Sequence, residues 1–481
     1  MTDTQVGKPV SATVLRDVTV VDTRDGSLTP HVDITLDGGR IAAIGPAATG
    51  TAAPGAPPPE TAGKYVVPGY LEMHAHPFEL KDPAGALELM LSHGITGFRQ
   101  MSGSPKMLRQ RAAGTLPMPA DSPAVVAMPG TVLTPLNAGT ESAAVATVAE
   151  QCAAGADFIK VGFVPPDAFY AAQAEAARLG IPILGHLPVN IDVVRASRGG
   201  MRSIEHLGPG LGILAACSAD EHGIRTTLSG QKPVRIPSVK IPFMDRIVAA
   251  MVRRMAVNPT KLAKSADVTL MQHAIDTFDE ARARGLAERF AADGTWQCPT
   301  LIRKRTTQLC DAPEYRTDPD LRYVAAGTVR LWSANAGKFA ARPASERATF
   351  RAEYALQLRV TKLFDDAGVK MIAGSDACGA VWQVAGHSLH QEFDELAAAG
   401  LSPLRILQMT TLDAAEFLDR TATMGTVEVG KDADLVLLDA NPADDVKHLH
   451  QVSGVVRAGR HYTQARLEAI RSRVAAARAV G

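Results

Sequence analysis

Short apolar runs alternate with longer segments rich in Ala, Leu, Glu and Arg through the middle of this chain. Apolar runs of about four to eight residues bounded by turn residues predict buried strands, and the longer segments predict helices. Because alternating strand and helix units favour a parallel sheet, eight of them predict an α/β fold of the (β/α)8 TIM-barrel type. The predicted strands are residues 65–72, 97–101, 124–128, 158–161, 183–186, 203–206, 297–301 and 369–374.

The two ends of the chain have a different pattern, dominated by short β-type runs separated by Gly and Asp turns. We therefore predict a small β-sandwich domain composed of residues 1–64 and 420–481, with a C-terminal helix, beside a barrel of residues 65–419. Its strands are predicted at residues 12–15, 18–21, 32–36, 41–44, 425–427, 434–439 and 454–457, and its helix at 464–480.

One interval is too long for the strands it contains. A strand–helix step takes about 30 residues, but 170 positions separate His206 from Asp376 and hold two predicted strands. We therefore predict a mostly helical insertion at about residues 212–295 and 311–345. Such an insertion is typical of a lid or an oligomer contact. Its basic amphipathic stretch, residues 232–255, could also lie on a membrane surface or pack on the barrel.

Composition limits the class of partner. The chain has 50 Lys and Arg against 50 Asp and Glu, so no global basic field exists to hold nucleic acid or an anionic membrane. No apolar run approaches the roughly 20 residues that span a bilayer. The five cysteines form no CxxC pair and the first residues lack the apolar core of a secretory signal. We expect a cytoplasmic homo-oligomer that acts on a small molecule, without nucleic-acid or membrane partners.

The candidate chemistry begins at His74 and His76, directly after an apolar run. Side chains alternate with period two along a strand, so both imidazoles point to the same side at the strand's end. Two converging imidazoles make half of a metal site. Sites on TIM barrels form at the carboxyl ends of the strands, where the pattern places four more suitable residues, namely Lys160, His186, His206 and Asp376.

Lys160 is the unusual member of this group, within the segment DFIKV. A charged ammonium would repel a divalent cation, but a buried lysine shifts its pKa readily. The neutral amine could then react with carbon dioxide to form a carbamate whose two oxygens bridge two metals. The alternative is an ion-paired lysine at the strand end, which the apolar neighbours disfavour.

These residues, in this order, resemble the amidohydrolase superfamily, and the last matching segment is similar to that of its imidazolonepropionase-like branch, which includes metal-dependent dipeptidases and ochratoxinase-type amidases. The matching segments are VPGYLEMHAH (67–76), ILGH (183–186), SIEH (203–206), AGSDA (373–377) and GTVEVGKDADLVLLD (425–439).

The resemblance implies a binuclear site with two divalent ions, Zn by default. It also implies hydrolysis of an amide-type C–N bond, in an amide, peptide or carbamate, by a metal-bridged hydroxide with Asp376 as general acid and base. Carried over by position, the more buried ion belongs to His74, His76 and Asp376, the second ion to His186 and His206, and the bridge to a carboxylated Lys160.

This chain departs from two relatives, and the differences narrow the set of possible reactions. Imidazolonepropionase is a one-metal enzyme without the bridging lysine, so Lys160 argues against that reaction. The dipeptidases often have a Gly-rich loop after the lysine, where this chain has VGFVPP. Phenylurea and thiocarbamate hydrolases remain open, as does hydrolysis of a lactone, ester or phosphotriester on the same site. A non-catalytic scaffold would be expected to have lost ligand residues, and here all six positions are filled.

Residues near the predicted strand ends are candidates for contacting the substrate. Two of them, at the start of a predicted helix, could instead cap or orient that helix. The candidates are Phe78, Phe163, Tyr170 and Arg303, with His387 and His390 as the two on the helix.

Overall fold

A computed structural model describes residues 13–48, 60–230 and 257–479. Within these residues the protein has an α/β fold with its strands in three sheets. The strands are β1 (Thr13–Val21), β2 (Leu28–Asp37), β3 (Arg40–Pro46), β4 (Tyr65–Pro68), β5 (Tyr70–Ala75), β6 (Ile95–Gln100), β7 (Ala124–Ala127), β8 (Ile159–Val161), β9 (Ile183–Gly185), β10 (Met201–Glu205), β11 (Trp296–Cys298), β12 (Leu435–Leu438), β13 (Val452–Arg457) and β14 (Arg460–Thr463).

Helices cover and connect the strands, and several begin at a side chain that caps the first turn. Ser104 and Thr140, for example, accept hydrogen bonds from backbone N–H groups three residues ahead. The α-helices are Pro83–Ser92, Pro105–Ala112, Pro135–Ala138, Glu141–Ala153, Pro166–Leu179, Val193–Arg198, Gly212–Ala216, Glu221–Ser229, Ser265–Asp276, Glu280–Asp293, Leu301–Gln308, Ala326–Ala340, Ala344–Asp366, His387–Ala398, Pro403–Thr410, Leu412–Phe417 and Gln464–Ala479, with 3₁₀ turns at Pro77–Glu79, Pro259–Leu262, Pro313–Arg316, Pro319–Tyr323 and Val446–His450.

Two of the sheets are parallel and follow one another along the chain. One has the order β5-β6-β7 and the other β11-β10-β9-β8, with parallel neighbours throughout. Because the strands are parallel, their carboxyl ends lie at the same edge. Three isolated parallel bridges join the ends of these sheets, at Leu133 with Val161, Gln297 with Met371, and Ala75 with Ala377.

The third sheet combines strands from both ends of the chain, in the order β14-β13-β12-β4-β1-β2-β3. The strand β4 lies between β1, to which it is parallel, and β12, to which it is antiparallel. Apolar side chains of this sheet, including Leu15, Ile34 and Leu437, form a core of their own. The sheet therefore leads directly into the parallel strands at the junction of β4 and β5.

The predicted strand 65–72 is wrong in one respect, because it is two strands that belong to different sheets. Gly69 separates them, and its N–H donates to the carbonyl of Asp434 while the next residue pairs with Gly94. A Cβ at position 69 would lie 2.0 Å from Thr96 Oγ1, so only glycine fits there. The apolar run continues through this point, and hydropathy alone could not locate the break.

Other strand predictions also need correction. Predicted strands 12–15 and 18–21 are one strand, β1, whose register shifts between Leu15 and Val18. The predicted strand 369–374 forms only a bridge at Met371, because its N–H groups donate to different elements, Ile372 to Gln297 and Ala373 to Met409. Residues 425–427 form no strand, and they begin at a glycine with φ of 94°.

The described parts of the predicted insertion, residues 212–230, 257–295 and 311–345, are largely helical. The basic stretch 232–255, which could cover the site, lie on a membrane or pack on the barrel, lies outside the described residues, and its role stays a prediction. In the described part of the chain, no helix is both long and apolar enough to cross a membrane.

Candidate metal centre

Asp376 lies at the centre of the predicted group. Its Oδ1 is 3.0 Å from His76 Nε2 and 3.3 Å from His74 Nε2, and its Oδ2 is 3.9 Å from His206 Nε2. The side chains of His74, His206 and Asp376 are buried, and each offers a ligand atom within 4.8 Å of the other two. The carboxyl ends of β5 and β10 and the segment after Met371 therefore bring four of the six predicted residues together.

His186 and Lys160 complete the group. The His186 ring lies 5.1 Å from the His206 ring between centroids. Burial first, and then the Lys160 charge, lower the pKa of both His74 and His186. Among the described residues, His186 Nδ1 and Lys160 Nζ are buried without a hydrogen-bond partner. Since an unpaired buried polar atom is costly, both atoms fit a ligand that the protein itself does not supply.

The environment of Lys160 favours its neutral form. Burial and, to a smaller extent, the Arg99 guanidinium lower the pKa of Lys160 to about 8, against the opposite effects of Glu205 and Asp376. A fraction of the amine is therefore unprotonated near neutral pH. This is the form that could react with carbon dioxide.

A fully buried ion pair fixes the orientation of His74. The Nδ1 of His74 is 2.6 Å from Glu205 Oε2, and Arg99 Nη2 donates to Glu205 at 2.9 and 3.1 Å. Burial alone would raise the pKa of Glu205, but Arg99 and His74 hold it well below its usual range. Because the carboxylate accepts the Nδ1 proton, His74 Nε2 keeps its lone pair on the side of Asp376.

The other two histidines beside Asp376 are held in the same way. His206 Nδ1 is 2.6 Å from Thr300 Oγ1, and His76 Nδ1 is 3.1 Å from Ser102 Oγ. His206, Thr300 and Asp376 have φ values of 60°, 47° and 61°, which side-chain-bearing residues rarely adopt. Such strained conformations cluster at functional sites.

A second buried carboxylate ties Asp376 to β5. Glu72 accepts hydrogen bonds from Ser375 N at 2.9 Å and Ser375 Oγ at 2.8 Å, and from His74 N at 3.1 Å. Burial raises the pKa of Glu72 to about 7. At Gly374, a Cβ would lie 2.7 Å from the backbone N of His74, so the two segments approach closely only with glycine there.

Two of the six substrate-contact candidates border the centre. Arg303 Nη1 is 2.6 Å from Asp376 Oδ2. Phe163 is 55% exposed, and its ring lies 5.2 Å from that of His186. Both therefore stay candidates for contact with a substrate.

The other four candidates make contacts elsewhere. Tyr170 lies under Arg195, and Phe78 packs against Phe98. Among the described residues, no hydrogen bond, ion pair or ring contact joins them or the two helix histidines to the six residues of the centre. His387 pairs with Asp320 at 3.1 Å, and His390 Nε2 contacts the His93 carbonyl at 2.7 Å. Neither histidine caps its helix, and the alternative that they orient its start stays a prediction.

Sequence reasoning missed Arg99, Glu205, Glu72 and Thr300. Three of them are charged residues within predicted buried strands. A charge in such a run needs a buried partner, and this signal could have identified Arg99 and Glu205 as a pair. Thr300 offered no comparable signal, because its role depends on a left-handed turn after β11.

Replacing Glu205 with glutamine is expected to destabilise the protein by about 3–5 kcal/mol, because the variant leaves the buried Arg99 without its counter-charge. Zinc affinity is expected to fall about 10–100-fold, because His74 loses the acceptor that orients it. Urea unfolding and zinc titration measure the two effects. The control is Glu280→Gln, which breaks an exposed ion pair with Arg359 and should change neither the stability nor the zinc affinity. Unchanged zinc affinity in the Glu205 variant would contradict the positioning role.

Acidification is expected to destabilise the protein through His93 and His390. Burial lowers the pKa of His93 to about 3 and holds that of His390 well below its usual value. Near pH 6.5 the unfolded chain binds protons at these histidines but the folded protein does not, so the free energy of unfolding falls below that pH. His93 alone should account for about 1–2 kcal/mol by about pH 5. Urea unfolding of the wild type and of His93→Gln at neutral and at acid pH tests this. If the free energy of unfolding falls by the same amount in both proteins on acidification, the role of His93 is contradicted.

Comparison with known proteins adds independent observations. Residues 357–461 match the model of the amidohydrolase family. The adenine deaminase of Rubrobacter xylanophilus is 38% identical over 63 residues, which are 13% of this chain and 10% of that protein. The match therefore spans about a tenth of the length of this curated relative.

Two solved structures share the fold over most of the chain. A bottromycin amidohydrolase has a TM-score of 0.69 and 23% sequence identity, covering 97% of this chain and 90% of its own. An Xaa-Pro dipeptidase has a TM-score of 0.57 and 17% identity, covering 94% of this chain and 100% of its own.

The fold and the centre define an α/β protein with histidines, a lysine and an aspartate gathered at the carboxyl ends of parallel strands. The family match over residues 357–461 and the similarity in fold support the amidohydrolase superfamily, which is the one that the sequence motifs resemble.

Proposed function

We propose that this protein is a metal-dependent hydrolase that cleaves an amide-type C–N bond in an amide, peptide or carbamate. The observation that carries the proposal is the buried centre itself. Three histidine Nε2 atoms face one carboxylate, and a buried lysine amine and a fourth histidine nitrogen lack partners in the described protein. Such a donor set suits divalent metals and has no evident structural use.

The two parallel sheets and the segment around Met371 would form one (β/α)8 barrel. The bridges at Leu133, Met371 and Ala377 support this, since each joins neighbouring strand ends in parallel. The seven-stranded sheet would be the separate domain of residues 1–64 and 420–481. Because β4 belongs to that sheet, we place the boundary with the barrel at Gly69 rather than at residue 65.

Two divalent ions, zinc by preference, would occupy the centre. His74, His76 and Asp376 would hold one and His186 and His206 the other, with a carboxylated Lys160 between them. When bound, the ions would lower the pKa of a water molecule toward neutrality and polarise the substrate carbonyl. The two atoms without partners, Lys160 Nζ and His186 Nδ1, fit this assignment.

Asp376 would transfer the proton. A carboxylate beside the attacking water can accept its proton and deliver it to the leaving nitrogen, which departs poorly as an anion. Burial would raise the pKa of Asp376, but the Arg303 guanidinium and His74 hold it well below its usual range, so the carboxylate is ionised. Arg303 would also keep Asp376 in place through the contact with Oδ2.

Phe163 would contact an apolar part of the substrate, because its exposed ring lies next to His186.

The described cysteines are all free, which supports the reducing cytoplasmic location expected from the sequence. A homo-oligomer stays part of the proposal, with the insertion as the candidate contact.

A hydrolysis screen read by mass spectrometry tests the proposal. The full chain is reconstituted with zinc and bicarbonate and offered dipeptides, N-acyl amino acids, aryl amides, carbamates, lactones and a phosphotriester. Cleavage confined to C–N substrates, and lost on removal of zinc, is the expected result. Cleavage confined to lactones or the phosphotriester would replace the reaction class with the alternative that the sequence left open.

A further inference from the structure

A cavity of about 640 Å³ has none of the residues of the candidate metal centre in its lining. It forms between the loop that leads into β7 and the turn that joins β13 to β14. Ala124, the first residue of β7, lines it. The cavity therefore opens at the amino ends of the parallel strands, whereas the metal centre lies at their carboxyl ends.

Three arginines line this cavity, Arg111, Arg457 and Arg460, and its lining contains no Asp or Glu. Each guanidinium has a carboxylate partner that does not itself line the cavity. Arg457 Nη1 is 3.0 Å from Asp434 Oδ1, Arg460 Nη1 is 3.2 Å from Asp121 Oδ1, and Arg111 pairs with Asp157. The counter-charges thus lie outside the lining, and the polar groups that this wall presents to a ligand include guanidinium N–H donors, which favour an anion.

The arginines also keep donors for a ligand. A guanidinium has five N–H donors in a planar fork that suits carboxylate and phosphate oxygens. Among the described residues, Arg457 and Arg460 each hydrogen-bond to their carboxylate partner through Nη1. Their Nη2 groups are thus left as donors for a bound anion.

The rest of the wall is apolar. Leu116, Met118 and Val125 are partly buried side chains that line the same space. The volume lies within the range of about 300–1,000 Å³ that is typical of small-molecule sites. The lining thus suits a ligand with an anionic end and an apolar body, rather than a bare inorganic ion.

We propose that this cavity binds a small organic anion, a carboxylate or a phosphate monoester attached to an apolar body. The anionic end lies against the three arginines and the apolar body against Leu116 and Met118. The ligand contacts both the strand–helix part and the seven-stranded sheet. Its site is separate from the metal centre, so binding does not depend on the proposed hydrolytic activity.

Isothermal titration calorimetry of the full chain tests this, with phenyl phosphate and phenylacetate as the anionic probes and benzyl alcohol as the neutral one. We expect saturable binding of at least one anion. The anion that binds more tightly shows whether the cavity prefers a phosphate or a carboxylate. Arg111→Gln and Arg460→Gln are each expected to weaken the affinity for the anion about tenfold, because each variant loses one charge-assisted contact. Arg109→Gln, on the same helix but outside the lining, is the matched control and should bind as wild type does.

Absence of saturable binding by both anions would overturn the proposal, as would equal binding of benzyl alcohol. Unchanged affinity in both Arg111→Gln and Arg460→Gln would also overturn it, because the anion would then lie elsewhere. Repeating the titration with Asp376→Asn separates the two sites, since the same affinity is expected whether or not the metal centre works.

Discussion

Replacing Asp376 with asparagine is expected to lower kcat by about 10²–10⁴-fold, the contribution of a positioned acid and base. Asparagine has nearly the same shape but cannot accept the proton of the attacking water. Steady-state kinetics on the substrate found in the screen measures the loss. Asparagine keeps an oxygen that can face His74, His76 and Arg303, so the variant should still fold, although with lower stability.

The matched control is Asp320→Asn, at a carboxylate that pairs with His387 outside the centre. It should retain wild-type kcat. Turnover of Asp376→Asn close to wild type, with zinc bound, would remove Asp376 from the chemistry and with it the proposed proton transfer.

Replacing Lys160 with methionine is expected to abolish activity and yet stabilise the metal-free protein. The methionine cannot form a carbamate, so the variant would lack the group that we propose to bridge the two ions. Burial lowers the pKa of Lys160 from 10.5 to about 8 in the folded protein. At neutral pH the amine is mostly charged in both states, and keeping that charge buried costs about 3 kcal/mol. The variant avoids this cost.

The pH dependence gives the second part of this prediction. Between about pH 8 and pH 10.5 the unfolded chain binds the lysine proton but the folded protein does not, so wild-type stability rises with pH in that window. The advantage of Lys160→Met in the metal-free protein should therefore shrink over the same window. Urea unfolding across these pH values measures it. Lys370→Met, at an exposed lysine paired with Glu416, is the control and should show no gain. A destabilised Lys160→Met protein would indicate an ion-paired structural lysine.

Much of the parallel architecture could be predicted from the sequence, because its strands are short apolar runs that end at turn residues. The predicted and observed bounds of β7 and β9, for example, differ by one residue at most. The junction at Gly69 could not be predicted, because the apolar run continues across it. The need for glycine there comes from the close approach of Thr96, which is distant in sequence. The segment around Met371 was overpredicted because its hydrogen bonds go to two different elements.

The six candidate ligands could be located because each lies at or just after the carboxyl end of a predicted strand, and parallel strands bring these ends together. The structure places them side by side, and their role as metal ligands stays a proposal. What orients them depends on contacts across the sheet that no local pattern encodes. Glu205 reaches His74 from 131 positions away, and Arg303 reaches Asp376 from a helix after β11.

The central claim is that the six residues hold two metal ions that the hydrolysis of a C–N bond requires. The most direct test counts zinc per chain by mass spectrometry after reconstitution with zinc and bicarbonate, and looks for an added carbon dioxide on Lys160. We predict two zinc ions per chain and a carboxylated Lys160 in the wild type, with both signals reduced in Lys160→Met. A fully folded wild-type protein that retains no zinc and carries an unmodified Lys160 would contradict the account.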